Sequence, residues 1–488
     1  MSPNPTVAAV EVHETHTGVV FLVGDRAYKV KKPIRTDFLD FRSVDARERV
    51  CAHEVLLNSR LAPDSYLGVG HFAGPRGGAD EPVIVMRRYS EGRSLAALLE
   101  RAEPVEGHLT AIAEKLADFH AHASRSPAVD AEARAAVVSE RWTENLDVLD
   151  HYKRSILTEW ELADVRRLSS QYLAGRTALF ERRIDEHRIV DGHGDLIAAD
   201  IYCLPDGPVL LDCLEFDDRL RYVDGLDDAA FLAMDLEFAG RADLATFFLD
   251  RYRTLARDDA PASLAHFYTA YRAVVRAKVD CIRVDQGIAS AAADARRHLR
   301  LALDHLRAGA VKLVLVGGGP GSGKTTLARE LAPRIDAVVT STDDVRHELA
   351  EAGRLAGESG TYESGRYDPR NVAVVYDEVL QRAGDQLANG QSAILDGTWR
   401  DAHQRELARA VADRYHCGTV ELACVLDVAE AMERIRLRGG GTHSEITPAL
   451  AATMYDAGTS WPRANHIDTT QPLGDSLAEA TAVCCLAI

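Results

Sequence analysis

Gly318-Gly319-Pro320-Gly321-Ser322-Gly323-Lys324-Thr325 decides the reading of one half of this chain. The apolar run Val311-Lys312-Leu313-Val314-Leu315-Val316 precedes it and Thr326-Leu327-Ala328-Arg329-Glu330-Leu331 follows, so the order is buried strand, glycine loop, helix. This is the G-x-x-x-x-G-K-[ST] pattern in its required context. Glycines let successive backbone N–H groups turn inward around a phosphate, and the positive end of the following helix faces the same anion. Lys324 reaches the outer phosphates, and Thr325 is placed to hold Mg2+. ATP is the expected ligand of the whole stretch from Gly318 to Thr326.

Beyond the loop, the strand at 337–342 feeds a helix through Asp343-Asp344-Val345-Arg346, which puts Asp343 and Arg346 at the carboxyl end of a sheet, where ligands bind in open α/β folds. The strand Ser392-Ala393-Ile394-Leu395-Asp396 ends in an aspartate suited to support Mg2+ beside Thr325. After a strand at 422–426, Arg434-Ile435-Arg436-Leu437-Arg438 runs into Gly439-Gly440-Gly441. Arginines at helical spacing beside a glycine hinge suit a lid over a transferring phosphoryl group.

The 310 residues before this region are too many for one appendage. Gly18 to Lys31 reads as a hairpin with its turn at Gly24-Asp25-Arg26, and a period of two puts Lys29 and Lys31 on one face. A helix from Val44 to Leu61 carries Glu54, and a strand at 81–89 leads into helices from Ser94 onward. His120 and His122 read as helix-end or packing residues. A second chemical centre follows in His193-Gly194-Asp195-Leu196-Ile197-Ala198-Ala199-Asp200, where a hairpin returns Asp212 toward Asp195 and Asp200. Three carboxylates gathered so closely call for a divalent cation. Residues 226–238 and 252–286 then read as helices. In the later one Arg272, Arg276, Lys278 and Arg283 line either an acceptor or a charged solvent face. A connecting helix ends near Gly309.

The net charge is −18, from 57 Lys+Arg and 75 Asp+Glu. It is shared, with 17 basic against 25 acidic residues from 311 to 488 and 40 against 50 before them. Neither half has the basic excess of a protein that tracks a phosphate backbone, which favours a small-molecule acceptor over nucleic acid. The eight cysteines form no C-x-x-C pair and read as buried thiols. No apolar run approaches membrane-spanning length and Met1 to His16 lacks a signal pattern, so a cytoplasmic protein without membrane contact is expected.

Two resemblances add to this reading. From Val10 to Arg283, most strongly from Ile189 to Asp217, the chain resembles the aminoglycoside-phosphotransferase and choline-kinase branch of the protein-kinase-like fold. That resemblance implies Asp195 as the base on the acceptor hydroxyl, Asp200 and Asp212 as Mg2+ ligands, Lys29 as the phosphate lysine with Lys31 as runner-up, and Glu54 as its partner. Asp200 stands where that family has Asn. The added negative charge opens an alternative in which this half is a regulatory pseudokinase. From Val311 to Leu473 the chain resembles the P-loop kinases grouped around polynucleotide 5′-kinase, zeta toxin, gluconate kinase and chloramphenicol phosphotransferase. There the resemblance implies Asp343 as general base, Arg346 as acceptor-binding residue, and Lys324, Arg434 and Arg438 as stabilisers of transition-state charge. A polynucleotide 5′-hydroxyl kinase is the alternative for this half.

The expected architecture is an α+β protein-kinase-like domain at 1–309, with a small β-rich lobe at about 1–90 and a helical lobe at about 91–309. An α/β P-loop kinase domain with a parallel sheet follows at 310–488. The expected activity is that of a bifunctional ATP- and Mg2+-dependent phosphotransferase acting on hydroxyls of a sugar, an aminoglycoside or a related polar acceptor.

Overall fold

The computed structural model describes residues 10–14, 18–34, 41–73, 80–357, 365–437, 451, 453, 455 and 460–486. The chain divides into two compact units that interleave in sequence: Met1–Val138, Arg183–Asp259 and Tyr268–Leu301 form the first, and Ser139–Arg182, Ala260–Phe267 and Ala302–Ile488 the second. The sequence reading places a single boundary near Gly309, whereas the second unit also recruits helical segments from well before it. The reason is local packing. Ser263 Oγ donates to Gly390 O at 2.6 Å, and Arg176 Nη1 donates to Tyr415 O at 2.7 Å. A Cβ on Gly175 would stand 2.1 Å from Tyr415 O, so only glycine allows this approach.

The first unit opens with five strands, β1 (Val10–Glu14), β2 (Gly18–Val23), β3 (Arg26–Lys31), β4 (Tyr66–Phe72) and β5 (Glu81–Arg87). They form one antiparallel sheet in the order β1-β2-β3-β5-β4. Gly24, at φ +59°, makes the β2–β3 turn where the sequence places it. Along β3, Ala27, Lys29 and Lys31 are buried while Arg26, Tyr28 and Val30 are half-buried, the alternation the pattern predicts. Helix α1 (Val44–Asn58) is capped by Ser43, whose side chain accepts from Ala46 N, and it packs Cys51 into the core with Tyr66 and Ile84.

The rest of this unit is mainly helical, with α2 (Leu95–Glu100), α3 (Glu106–His122) and α4 (Pro127–Ala131) early on. Three helices, α5 (Ala135–Asp150), α6 (Glu159–Gly175) and α7 (Thr177–Asp185), come next in the chain, and α6 belongs wholly to the second unit. A short antiparallel pair, β6 (Ile189–Asp191) and β9 (Tyr222–Asp224), brackets the hairpin β7 (Ile201–Leu204) and β8 (Gly207–Leu210). Then come α8 (Gly225–Phe238) and α9 (Ala242–Ala256). The helix expected at 252–286 is in fact two: α9 is capped by Arg257, held at φ +50°, before α10 (Ala262–Asp285) begins. A left-handed residue at the helix end, followed by Pro261, stops the first helix despite continuous apolar spacing. The connecting helix is α11 (Ala291–Ala308). Helices α5, α7, α10 and α11 each run across a unit boundary.

The second unit holds five strands, β10 (Lys312–Gly317), β11 (Ala337–Ser341), β12 (Ser392–Asp396), β13 (Gly418–Val425) and β14 (Asn465–Asp468). They are parallel throughout, in the order β11-β12-β10-β13-β14. Val314, Val316, Ile394, Leu422 and Ile467 are fully buried, as near-continuous apolar strands of a parallel sheet should be. They pack against α12 (Lys324–Leu331) and the last helix (Leu473–Leu486) through Leu327, Leu331 and Leu477. Among the described residues no helix is long and apolar enough to cross a membrane, and all eight cysteines are free thiols.

Candidate active sites

In the first unit, β3 and α1 bring two lysines to one carboxylate. Lys29 Nζ lies 2.8 Å from Glu54 Oε1 and Lys31 Nζ lies 2.6 Å from Glu54 Oε2, with Glu54 completely buried. Each lysine has a second acidic partner: Asp212 Oδ1 at 2.6 Å for Lys29 and Glu215 Oε1 at 2.5 Å for Lys31. Burial alone would lower the Lys29 pKa, but Asp212 and Glu54 outweigh it and raise it well above the ordinary value. Lys29 is therefore the lysine on the Asp212 side, and Lys31 is locked behind it. Glu215 is absent from the sequence reading because nothing local ties it to a strand 184 residues away.

The loop from His193 is held from below. Asp228 accepts from the backbone N–H groups of His193 (2.7 Å) and Gly194 (2.8 Å), and its Oδ2 also meets His120 Nε2 at 3.0 Å. His120 thus packs beneath the loop, while His122 is exposed. A Cβ on Gly192 would stand 2.5 Å from Asp228 Oδ2, which reserves that position for glycine. His193 is buried and bonds Leu211 O through Nε2 at 3.0 Å. Asp212 adopts φ +62°, a left-handed turn that costs an aspartate energy and is held by Lys29 and by the Tyr66 hydroxyl on its N–H.

Burial pushes the Asp195 carboxyl up to about 6, with Asp212 and Glu215 adding to the rise while Arg276 and Arg272 oppose it. Burial, then Asp212 and Asp195, push Asp200 well above the ordinary carboxylate range. For Asp212, burial works against ionisation, yet Lys29 and Lys31 hold it below the usual range. The three carboxylates thus feel one another, as expected. They do not converge as one ligand set: among the described residues no three His, Cys, Asp or Glu side chains form a group able to hold a metal by themselves. The fit to a divalent cation is through Asp200 and Asp212 with further oxygens from a nucleotide, and the crowding that raises Asp200 is what such a cation relieves.

Arg272 is buried rather than on a solvent face. It pairs bidentately with Asp227, at 2.7 and 2.9 Å, and bonds Gly194 O at 3.2 Å, buttressing the loop. Arg276 is the arginine whose field reaches both Asp195 and Asp235.

In the second unit, β10 ends at Gly317 and α12 starts at Lys324, with Gly318 (φ +149°), Gly321 (+79°) and Gly323 (+82°) in conformations that side-chain-bearing residues rarely adopt. Cβ atoms on Gly318, Gly319 and Gly321 would stand 2.5 to 2.6 Å from Ser322 Oγ, Tyr455 and Ala431 O. Thr325 Oγ1 donates to Asp396 Oδ2 at 2.7 Å. Burial raises Asp396, with Lys324 and Thr325 opposing, and its Oδ1 has no well-formed hydrogen bond. The fully buried Ser322 Oγ is likewise without one. Lys324 forms no ion pair with a described residue. Orphaned oxygens and an uncommitted lysine around a glycine cradle fit a Mg2+-bound phosphate chain.

Asp343 follows β11 at the carboxyl edge of the sheet, where Arg346 Nη1 bonds its Oδ1 at 2.6 Å and the guanidinium lies over Tyr367, 4.7 Å from the ring centre. The two residues expected to handle an acceptor hold each other. Arg434 bonds Glu430 at 2.5 Å and Thr469 O at 2.9 Å, while Thr469 Oγ1 bonds Ser322 O at 2.8 Å. Arg438 and Gly439-Gly440-Gly441 lie outside the described residues. Thr469 and Tyr455, whose hydroxyl donates to Pro320 O at 2.8 Å, are site residues that the sequence reading misses. Both follow the arginine–glycine stretch in the sequence and carry no motif.

A glycine cradle with a strand-end aspartate on its threonine is suited to a phosphate chain, and a lysine–glutamate–aspartate cluster forms a second charged centre in the first unit. Residues 313–456 match the AAA domain family model. Uncharacterized protein Rv2004c of Mycobacterium tuberculosis (strain ATCC 25618 / H37Rv) is 49% identical over 471 residues, covering 96% of this chain and 94% of that protein. The chain belongs to the family of that mycobacterial protein. Among solved structures, a choline/ethanolamine kinase family protein from Mesorhizobium loti aligns over 62% of this chain and 94% of its own, at 16% identity and a TM-score of 0.39. A gluconokinase from Sinorhizobium meliloti 1021 aligns over 37% and 94%, at 16% identity and a TM-score of 0.28.

Proposed function

We propose that the chain is an ATP- and Mg2+-dependent kinase that phosphorylates hydroxyl groups of small polar molecules, with the phosphate-loop site as its principal catalyst and the Asp195 site as a second. The observation that carries this reading is the Thr325–Asp396 contact, 2.7 Å long, at the mouth of the glycine cradle, with Asp343 just past the end of the neighbouring strand. Bound Mg2+–ATP would supply the phosphoryl group and neutralise its charge. Backbone N–H groups of Gly321, Gly323, Lys324 and Thr325 and the Lys324 ammonium bind the phosphate oxygens, while Thr325 and Asp396 hold the cation side. Asp343 accepts the proton of the acceptor hydroxyl, and Arg346 exchanges its bond to Asp343 for a polar or anionic group of the acceptor. Arg434, tethered beside Gly323, adds positive charge at the outer phosphate.

At the first site the corresponding tasks fall to Lys29 for phosphate, Asp200 and Asp212 for the cation, and Asp195 for the hydroxyl proton. Asp200 in place of Asn supports a second reading, a nucleotide-binding regulatory domain without transfer.

The test is transfer from labelled ATP to sugars, aminoglycosides, nucleosides and 5′-hydroxyl oligonucleotides by the full chain, beside its Lys324→Ala and Asp195→Asn variants. Small-acceptor transfer lost only in Lys324→Ala assigns it to the phosphate loop. Transfer undiminished in both variants would overturn the proposal. Efficient labelling of oligonucleotides, falling steeply with salt, would replace the small-molecule reading with a 5′-kinase, against the acidic balance of 311–488.

A further inference from the structure

The second unit contains a cavity of about 300 Å³ that the phosphate-loop chemistry leaves unused. Val311 and Gly418, which open into β10 and β13, line it, so it lies at the amino ends of the parallel strands. The phosphate loop follows the carboxyl end of β10, the side on which α/β sheets place their active sites. The cavity is thus a separate place within one unit, walled by α6, the start of α10 and the last turns of α11.

Its walls combine a flat apolar face with a cation that no carboxylate pairs, the Arg176 guanidinium lying 5.4 Å from the centre of the Tyr172 ring. Tyr172 stacks on Phe267 with ring centres 4.4 Å apart and planes 14° from parallel, and Leu168 and Leu306 extend that face. Arg176 is 1% exposed. Its Nη1 donates to Tyr415 O at 2.7 Å and its Nη2 meets Cys417 Sγ at 3.1 Å, but its Nε has no hydrogen-bond partner. Among the described residues no carboxylate pairs with it, although Asp413 lines the same cavity. A guanidinium held away from water with neither counter-ion nor full hydrogen bonding is costly, and buried charges are normally paired. His305 and His416 face the same space, and His305 Nδ1 lies 2.8 Å from His266 Nδ1, a spacing that needs a proton between them. Arg167 also lines the cavity, but it is already engaged by Asp164 and Gln171.

We infer that this cavity binds a small organic oxyanion, a phosphate monoester or carboxylate on a flat apolar body, with Arg176 as its anchor and the Tyr172–Phe267 stack against its body. A volume at the lower end of ligand sites fits a molecule of one ring and one anionic group. The site is distinct from both phosphotransfer centres, so a ligand there acts on the second unit without competing for the glycine cradle.

Cys417 is the reporter, because it lines the cavity and contacts Arg176. The rate of iodoacetamide alkylation at Cys417, read by mass spectrometry on the full chain at mildly alkaline pH, should fall saturably with phenyl phosphate or benzoate and stay unchanged with benzyl alcohol. Arg176→Lys should weaken the protection about tenfold, the usual worth of a charge-assisted hydrogen bond. Leu306→Trp, which narrows the cavity from another wall, should abolish it, with thermal melting confirming that each variant folds. Benzoate acting without phenyl phosphate, or the reverse, supports the inference and assigns the anion. Equal protection by benzyl alcohol, undiminished protection in both variants, or no protection at millimolar anion would overturn it.

Discussion

Around Lys29, charge is handled by side chains: two ammonium groups and three carboxylates, each within ion-pair distance of an opposite charge, although neither Glu54 oxygen makes a well-aligned hydrogen bond. Around Lys324 it is handled by backbone, and Lys324 itself has no ion-pair partner among the described residues. In the first arrangement two of the three Lys29 donors are directed at carboxylates, which leaves one for a phosphate. The second is under-satisfied, with Ser322 Oγ and Asp396 Oδ1 awaiting partners. A site full of matched charges favours a closed resting state, whereas orphaned polar atoms favour a bound one.

The strongest way to break this comparison is Lys324→Ala. Loss of a lysine that only a ligand pairs should cost roughly a thousandfold in phosphoryl transfer with little change in melting temperature. Transfer that survives while Asp195→Asn abolishes it would reverse the roles of the two sites. The opposite signature belongs to Glu54→Ala. It removes the carboxylate that two buried ammonium groups share and leaves each with one acidic partner, so it should cost about 3 kcal/mol of stability in denaturant titration. A loss below about 1 kcal/mol would mean that Asp212 and Glu215 hold the lysines unaided.

A third measurement sharpens the contrast through pH. The Asp195 carboxyl is raised to about 6, so between the unfolded carboxylate range and pH 6 the folded chain keeps a proton that the unfolded chain has lost. Its contribution therefore destabilises the fold progressively as pH rises through that window and levels off above it, and Asp195→Asn should flatten this slope. If Asp195 acts as a base, transfer by its site should rise over the same window. A rate without pH dependence from about 5 to about 7 would remove Asp195 from that role. The smallest expected effect is Thr469→Val. Losing the 2.8 Å bond to Ser322 O should cost about 1 kcal/mol, about fivefold in nucleotide affinity by calorimetry, with the first site unaffected.

How much the sequence discloses follows from how far each signal reaches. The phosphate loop is local: strand, glycines, lysine and threonine are contiguous, and the structure keeps that order from β10 to α12. The hairpin bearing Lys29 and Lys31 is equally plain from its period of two. Glu54 falls on the expected helix, but that it takes both lysines depends on α1 packing across the sheet. Glu215, Asp228, Tyr455 and Thr469 act through tertiary proximity and have no spacing rule to announce them. Arg272 reads as lining either an acceptor or a solvent face in the sequence, whereas Asp227, 45 residues earlier, claims it in the interior. The break between α9 and α10 is invisible to periodicity because apolar spacing continues across a left-handed Arg257.

The interleaving of the two units carries a consequence for how the molecule is made. Ser139–Arg182 leaves the ribosome long before Ala302–Ile488, yet both belong to one unit. Until the later stretch emerges, the helix bearing Leu168 and Tyr172 lacks the Tyr415 backbone that Gly175 lies against, and Arg176 lacks the carbonyl of the same residue. The first unit can assemble once Leu301 is out, while the earlier helices of the second wait with apolar faces uncovered. Such a waiting nascent segment is a natural client for chaperones, and slower translation between the two stretches would only prolong the exposure, because the missing partner is encoded last.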